Sequence, residues 1–195
     1  MKKMKKIITV VIICLLVSIP SVWAELADFP NALGVFGGVS TGGGSGYGGL
    51  HYQRWFPKFG IQAEGGIMYS PSSEQLNYSV VADGLFPVYS SDFSDKLGGS
   101  VYLFVSAGHN AQTFVVPEQS MWDDPTQTYI VTAPEQRYFN PKLFTGVGIG
   151  IEVVLFQHFS IPLHFGYAGD IPLNTSPGNT LYIGFTFSGG LRYRF

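Results

Sequence analysis

Apolar and polar side chains alternate along the last sixteen residues of the chain, Thr180 to Phe195. Successive side chains of a β-strand point to opposite faces, so the alternation gives this strand one apolar face and one small, polar or cationic face. The apolar face carries Leu181, Ile183, Phe185, Phe187, Leu191, Tyr193 and Phe195, with Gly189 among them. A long strand with this character is typical of a closed barrel that crosses a membrane, apolar towards lipid and polar inside.

The same alternation recurs along the chain after Glu25 and is interrupted by turn-forming residues. Eight strands are predicted. They are about Asn31–Ser40, Tyr47–Trp55, Gly60–Ser70, Leu76–Val88, Leu97–His109 and Phe139–Leu155, a strand through Ile161, Leu163, Phe165 and Tyr167, and Thr180–Phe195. Turns after the second, fourth and sixth strands are short, and the other connections are longer. This asymmetry predicts an all-β, eight-stranded antiparallel up-and-down transmembrane barrel.

Several short segments are predicted to lie at the two ends of this barrel. Ser90 to Lys96 is predicted to be a polar turn, and Trp55, Phe56 and Phe59 crowd around another short turn. Aromatic residues at strand ends favour a girdle at the membrane interface. These three residues are therefore predicted to belong to such a girdle.

The longest connection, Asn110 to Tyr138, contains two short strand-like segments around Pro117 to Gln127. We expect it to form a hairpin that projects beyond the membrane, because a long connection with its own strand pattern is usually functional. Its candidate contact residues are Phe114, Met121, Trp122, Asp123, Asp124 and Tyr129.

The amino terminus has the pattern of a secretory signal peptide. Four lysines precede an apolar run from Ile7 to Val17, and Val22-Trp23-Ala24 provides a cleavage site. The predicted organisation is a signal peptide at residues 1–24 and a barrel domain at 25–195. Cys14, the one cysteine, lies in the apolar run, so the exported chain would have neither a disulfide nor a reactive thiol.

Charge and motifs exclude several kinds of partner. Without the four amino-terminal lysines, seven basic residues stand against thirteen acidic ones, which disfavours a nucleic-acid partner. The histidines lie on different elements, and Asp123-Asp124 lacks the spacing of a calcium loop. The glycine-rich segment at 41–46 is not followed by the Lys-Ser/Thr pair of a phosphate loop. We therefore expect no metal and no cofactor.

The inward face of the predicted barrel collects most of its charge. An arginine on the lipid face near the midplane would cost about 2–4 kcal/mol, so the two arginines of the last strand must point inward. The predicted lumen network comprises His51, Glu64, Asp83, Glu152, His164, Arg192 and Arg194. Since eight strands enclose only enough space for side chains, we expect a plug, with a narrow ion path as the alternative.

The carboxy-terminal SGGLRYRF resembles the recognition signal of bacterial outer-membrane barrels, through Ser188, Gly190, Tyr193 and Phe195. Together with the eight strands and the signal peptide, it makes the chain similar to small outer-membrane barrels such as the OmpA transmembrane domain, OmpX and OmpW. The resemblance implies export to the periplasm, insertion by the barrel assembly machinery, and residence in outer-membrane lipid. It also implies a structural or adhesin-like surface role towards host or other extracellular macromolecules, with a small-solute channel as the alternative.

The same residues argue against two other classes of protein, a lipid-modifying enzyme and a soluble ligand-binding barrel. The segment from His164 to Gly169 faintly resembles the histidine segment of outer-membrane lipid A deacylases, but Gly166 stands where their serine nucleophile is expected. A lipocalin-like soluble barrel would need an apolar interior, whereas the inward residues here are polar. The sequence therefore predicts a membrane protein that is not an enzyme.

Overall fold

The computed structural model describes residues 29–41, 45–69, 77–123 and 128–195, almost entirely as β-strand. Its strands are β1 (Asn31–Ser40), β2 (Ser45–Trp55), β3 (Gly60–Tyr69), β4 (Asn77–Ser94), β5 (Leu97–Val116), β6 (Gln119–Asp123), β7 (Thr128–Ala133), β8 (Gln136–Leu155), β9 (Phe159–Pro172) and β10 (Tyr182–Arg194). Within these ranges, there is no helix with the length and hydropathy needed to cross a membrane. The predicted signal peptide lies outside the described residues.

Eight of the strands close into one barrel. The order around the ring is β1-β10-β9-β8-β5-β4-β3-β2, and every neighbouring pair is antiparallel. The seam joins the first strand to the last, with Ala32 opposite Arg194 and Ser40 opposite Thr186. Closure leaves no unpaired strand edge in the ring, which is the condition for a sheet to exist in hydrocarbon. The predicted eight-stranded antiparallel barrel is confirmed.

The outer surface of the ring is apolar along the predicted phase. Val35, Leu50, Val105, Ile149 and Leu191 are each about half exposed, from 49% to 62%. Their neighbours in sequence turn inward and alternate with them strand by strand. A sheet packed on a water-soluble core would bury these side chains, so this exterior is suited to contact with lipid.

The two ends of the barrel differ in their connections. At one end, here called the turn end, the links are residues 56–59, 95–96 and 156–158, and both ends of the described barrel lie there. The other end, the loop end, carries the longer connections. One assignment was wrong: β4 continues to Ser94, with register shifts after Pro87 and Asp92, so most of the predicted turn at Ser90–Lys96 is strand. The register shift after Pro87 accommodates the proline, which has no backbone N–H to donate to the hydrogen bonds between the strands.

Beyond the ring, β5 and β8 continue as a two-stranded ribbon. They stay paired from Leu97–Leu155 to Val116–Gln136, whereas β4 pairs with β5 only as far as Ala111. Residues 112–116 extend this ribbon by about 17 Å at roughly 3.4 Å per residue. The short strands β6 and β7 then pair with each other, with Trp122 opposite Tyr129. The predicted projecting hairpin is thus present, built on longer strands than expected.

The interior is divided along the barrel axis. Near the turn end it is packed by a core cluster of Trp55, Leu85, Tyr102 and Phe104 together with buried polar side chains. Towards the loop end lies a cavity of about 730 Å³. The expectation that side chains fill the whole interior is therefore wrong for the loop-end half. Small inward residues such as Ser106, Ala168 and Thr186 leave this space open.

Candidate functional site

The lumen holds a buried polar layer centred on Arg192, which β10 directs inward. The guanidinium donates from Nε to Nε2 of His51 at 3.1 Å and from Nη2 to Oε1 of Gln62. Its Nη1 lies 3.6 Å from Oε1 of Glu152 on β8, and both side chains are fully buried. That separation is an ion pair without a hydrogen bond. The fold thus brings three of the predicted lumen residues, on β2, β8 and β10, into one layer.

Two further carboxylates meet on the same glutamine. Nε2 of Gln62 donates to Oε1 of Glu64 at 2.5 Å and to Oδ2 of Asp83 at 3.0 Å. Gln62 therefore links Arg192 on one side to two acids on the other. Both acids line the cavity at its floor, and among the described cationic groups none is within ion-pair distance of either.

The two lumen histidines have separate partners. His51 stacks on Phe36 with 5.5 Å between ring centroids and accepts from Arg192. His164 on β9 places Nε2 2.7 Å from the hydroxyl of Tyr102, and its ring also packs on Phe104. Neither histidine belongs to a group of three potential metal ligands, and no such group occurs in the part of the chain that the structure describes.

Arg194 lies apart from this layer, at the turn end. Its guanidinium donates from Nη2 to the carbonyl oxygen of Phe29 at 3.3 Å. The backbone of the same residue donates to the carbonyl of His158 at 2.6 Å. The side chain is 4% exposed, so it points inward as its phase predicts. Its direct contacts hold the turn end together and include no lumen carboxylate within ion-pair distance.

The buried layer closes the lumen towards the turn end. Trp55 packs edge-on against Tyr102 at 5.7 Å between centroids, and Leu85 completes this floor. These three side chains, like Arg192 and Glu152, are no more than 6% exposed. The assignment of Trp55 to an interfacial girdle is therefore wrong, because strand alternation turns it inward. Phe56 and Phe59 lie at the turn and stack on each other at 4.9 Å.

The cavity above this floor has a mixed lining. Aromatic rings contribute much of its wall, and polar groups line the floor and part of the sides. The rings are Phe36, Tyr47, Phe104, Phe114, Phe144 and Tyr182. On one side, Ser79 donates to Asn110 at 2.6 Å, and Asn110 donates to Asp170 at 2.8 Å. The shape is that of a pocket closed at its inner end.

A fixed loop covers part of the cavity mouth. Residues 173–181 join β9 to β10 and make four hydrogen bonds to β8, one of them from Asn174 to the carbonyl of Phe139 at 3.1 Å. Asn140 donates to the carbonyl of Pro177 at 3.0 Å, and Pro141 accepts from the backbone of Leu173 at 3.0 Å and from Asn179 at 3.3 Å. Gly178, at φ 75°, lies against the ring of Phe114, where a Cβ would lie 2.6 Å from Cγ of that ring. The loop and the hairpin base are therefore packed on each other.

The candidate contact residues of the hairpin are distributed along its length. Met121 is 65% exposed and Trp122 48% exposed on β6, whereas Phe114 faces the cavity mouth at its base. Asp123 ends β6 opposite Thr128 in the register, and Tyr129 lies on β7. Asp124 lies outside the described residues.

The predicted insertion signal occupies the last strand. Ser188 faces the lumen and Gly190 lies opposite Phe36 across the seam. Tyr193 and Phe195 point outward and stack at 6.4 Å between centroids. The backbone of Phe195 exchanges two hydrogen bonds with Asn31, at 2.8 and 3.1 Å. The carboxy-terminal aromatic pair is thus placed on the lipid-facing surface at the turn end.

Sequence reasoning missed three interior residues, of which Gln62 and Tyr102 lie at the Arg192 layer and Lys142 lies nearer the loop end. Strand alternation places Gln62 and Tyr102 inward, but nothing in the sequence indicates that an uncharged amide and a phenol contact polar groups on other strands. Lys142 is buried at 1% exposure, with Nζ 3.3 Å from Oε1 of Gln112 and 4.6 Å from the centroid of the Tyr182 ring. Its phase on β8 indicated an inward position, but the aromatic partner comes from β10.

A closed antiparallel barrel with an apolar exterior and enclosed charges defines a transmembrane β-barrel. Its fold is that of the small eight-stranded outer-membrane barrels. Outer membrane protein H (OprH) of P. aeruginosa matches with a TM-score of 0.54 at 13% identity, over 85% of this chain and 99% of that one. Neisserial surface protein A (NspA) matches with a TM-score of 0.50 at 12% identity, over 87% and 98%. No family model and no curated protein matches the sequence. At these identities the likeness concerns the fold.

Proposed function

We propose that this protein is a non-enzymatic outer-membrane barrel that acts at the cell surface through the hairpin of β5 to β8. The observation that carries the proposal is the ribbon itself. It continues beyond the ring and ends in β6 and β7, where Met121, Trp122 and Val131 are about half exposed or more. Exposed large apolar side chains beyond a membrane-spanning sheet mark a surface that contacts other molecules.

Localisation in the outer membrane is supported by the fold and by the amino-terminal pattern. The apolar exterior needs lipid, and the predicted signal peptide would deliver the chain to the periplasm. Insertion would use the barrel assembly machinery, with Ser188, Gly190, Tyr193 and Phe195 as the recognition signal. In this orientation the turn end faces the periplasm, and the hairpin faces outward.

A channel is a weaker alternative. Between the cavity and the turn end lie the buried Arg192 layer and the ring packing of Trp55 on Tyr102. Ions would have to cross side chains that are packed and paired. An enzymatic role also lacks support, because Nε2 of His164 is engaged with the hydroxyl of Tyr102 near the closed floor.

Orientation is tested by cysteine labelling, since Cys14 is the one cysteine of the sequence and lies in the predicted signal peptide. Met121→Cys at the hairpin should react with a membrane-impermeant maleimide on intact cells. Lys58→Cys, in a turn-end connection, is the matched control and should react only after the outer membrane is permeabilised. The reverse pattern would refute the proposed orientation.

The surface role is tested by removing residues 117–127. The shortened protein should still insert and show heat-modifiable migration, because the ring strands are untouched. Cells that carry it should lose binding to immobilised extracellular-matrix and serum proteins, compared with cells that carry the full chain. A Met121→Ser/Val131→Ser variant keeps the ribbon but removes its exposed apolar side chains, so it tests the apolar contact separately from the ribbon. Lys58→Ser at the turn end is its matched control. Unchanged binding by the deletion variant would contradict a contact role.

A further inference from the structure

We propose that the loop-end cavity is a binding site for a small organic ammonium ion that carries an apolar body. Neither the fold nor the proposed surface role assigns any function to this cavity. At about 730 Å³ it lies in the size range of small-molecule sites, roughly 300–1,000 Å³, and the buried floor closes its inner end.

The charge of the floor indicates the sign of the ligand. Glu64 and Asp83 share one donor, Nε2 of Gln62, and the guanidinium beneath them is engaged by Gln62, His51 and Glu152. Asp83 is buried and Glu64 is partly buried, and neither has a counter-charge within ion-pair distance among the described residues. Because such a carboxylate is unfavourable, the pair favours a cation in the space above it.

The outer loops cannot provide this cation. Residues 42–44, 70–76 and 124–127 contain neither lysine nor arginine. Arg137 lines the cavity but is paired with Glu135 at 2.6 Å. The ammonium of Lys142 is held by Gln112 and lies over the ring of Tyr182. The positive charge complementary to the floor must therefore come from solution.

The walls indicate the rest of the ligand. Aromatic rings offer both apolar contact and the negative face that attracts a cation. The contact of Lys142 with Tyr182 shows that this wall already accommodates one ammonium group. A second observation points to a donor group. Asn140 lines the cavity at 1% exposure, and its Oδ1 has no hydrogen-bond partner among the described residues. An N–H-bearing cation can donate hydrogen bonds to the oxygens of Glu64, Asp83 or Asn140, which a quaternary cation cannot do. The N–H-bearing kind therefore matches the cavity better.

The test is isothermal titration calorimetry of the folded full-length barrel in octyl glucoside, an uncharged detergent that does not compete as a cation. The probes are 2-phenylethylammonium, its near-isosteric neutral analogue 2-phenylethanol, and the anion phenylacetate, with tryptammonium as a larger cation. The expected result is saturable binding of the cations at least about tenfold tighter than that of the alcohol, and no binding of phenylacetate.

Two variants locate the site. Glu64→Gln/Asp83→Asn should weaken 2-phenylethylammonium at least about tenfold and leave 2-phenylethanol unchanged, whereas Glu118→Gln, on the exposed hairpin base, should change neither. Ala168→Trp should block every probe by filling the cavity. Heat-modifiable migration and far-ultraviolet dichroism confirm folding of each variant.

Three results would overturn the proposal. They are equal affinity for the ammonium and the alcohol, full cation affinity in the double variant, and no binding of either cation to the wild type at millimolar concentration. The first would indicate an apolar pocket, and the last would indicate that the two acids are neutralised by protons. The surface-binding assay of the hairpin deletion tests the proposed function, and its outcome does not depend on any of these three calorimetric results.

Discussion

Replacement of Glu152 by glutamine should be among the most destabilising single changes in this barrel. The carboxylate is fully buried and lies 3.6 Å from Nη1 of Arg192, which is buried as well. Neither oxygen of Glu152 has a hydrogen-bond partner among the described residues, so attraction to the guanidinium is its main stabilisation. At an effective dielectric constant of about 20, unit charges at this separation attract by about 4–5 kcal/mol. Leaving a buried charge unpaired costs about 3–5 kcal/mol.

The free energy of unfolding is measurable by urea titration in octyl glucoside micelles, followed by tryptophan fluorescence and by the heat-modifiable gel shift. Glu152→Gln should lower it by about 3–5 kcal/mol. Glu118→Gln is the matched control at an exposed position and should stay within about 0.5 kcal/mol of wild type. The double variant Glu152→Leu/Arg192→Met should recover part of the loss, because replacing a buried pair by apolar groups of similar size is often neutral.

A loss below about 1 kcal/mol for Glu152→Gln would refute the reasoning, since it would mean that the layer is hydrated and that water screens Arg192. Failure of the double variant to recover any stability would have a narrower meaning. It would show that the hydrogen bonds from Arg192 to Gln62 and His51 contribute more than its ion pair.

Three further predictions follow from the packing and the membrane exterior. Gly150→Ala should destabilise the barrel by about 1–3 kcal/mol in the same urea titration, because its Cβ would overlap the buried Tyr102 ring. Gly65→Ala is the control and should be nearly neutral, since nothing lies within 4 Å of the added carbon. Ile149→Lys, on the lipid-facing surface, should cost about 2–4 kcal/mol in liposomes, and Phe93→Lys near the turn-end rim at most about 1 kcal/mol; equal costs would contradict the assigned depth. Wild-type protein in a planar bilayer should show no discrete conductance, because the buried layer closes the lumen; resolved single-channel steps would disprove this closure.

The alternation of side chains along the chain determines much of the fold by itself. It gave eight strands, their inward and outward faces, and the short and long connections, since the face on which a side chain lies depends only on its position along its own strand. It also placed Glu152 inside by its position along the strand. Arg192 is placed inside for the further reason that an arginine on the lipid face near the midplane would be costly. The errors in the strand assignments lay at strand ends. β4 runs on through its polar segment to Ser94, and Trp55 points inward although aromatic residues are typical of the interface.

Only the tertiary structure decided which inward residues meet. Arg192, Glu152 and Gln62 come from strands far apart in sequence, and their contact depends on the stagger of the strands around the ring, which no local pattern specifies. The cavity arises in the same way. Small residues on several strands coincide at one level, whereas large ones coincide below them at Tyr102 and Trp55. The sequence alone therefore determined the two faces of this protein, and ring closure determined how its interior is divided, because contacts across the lumen are non-local.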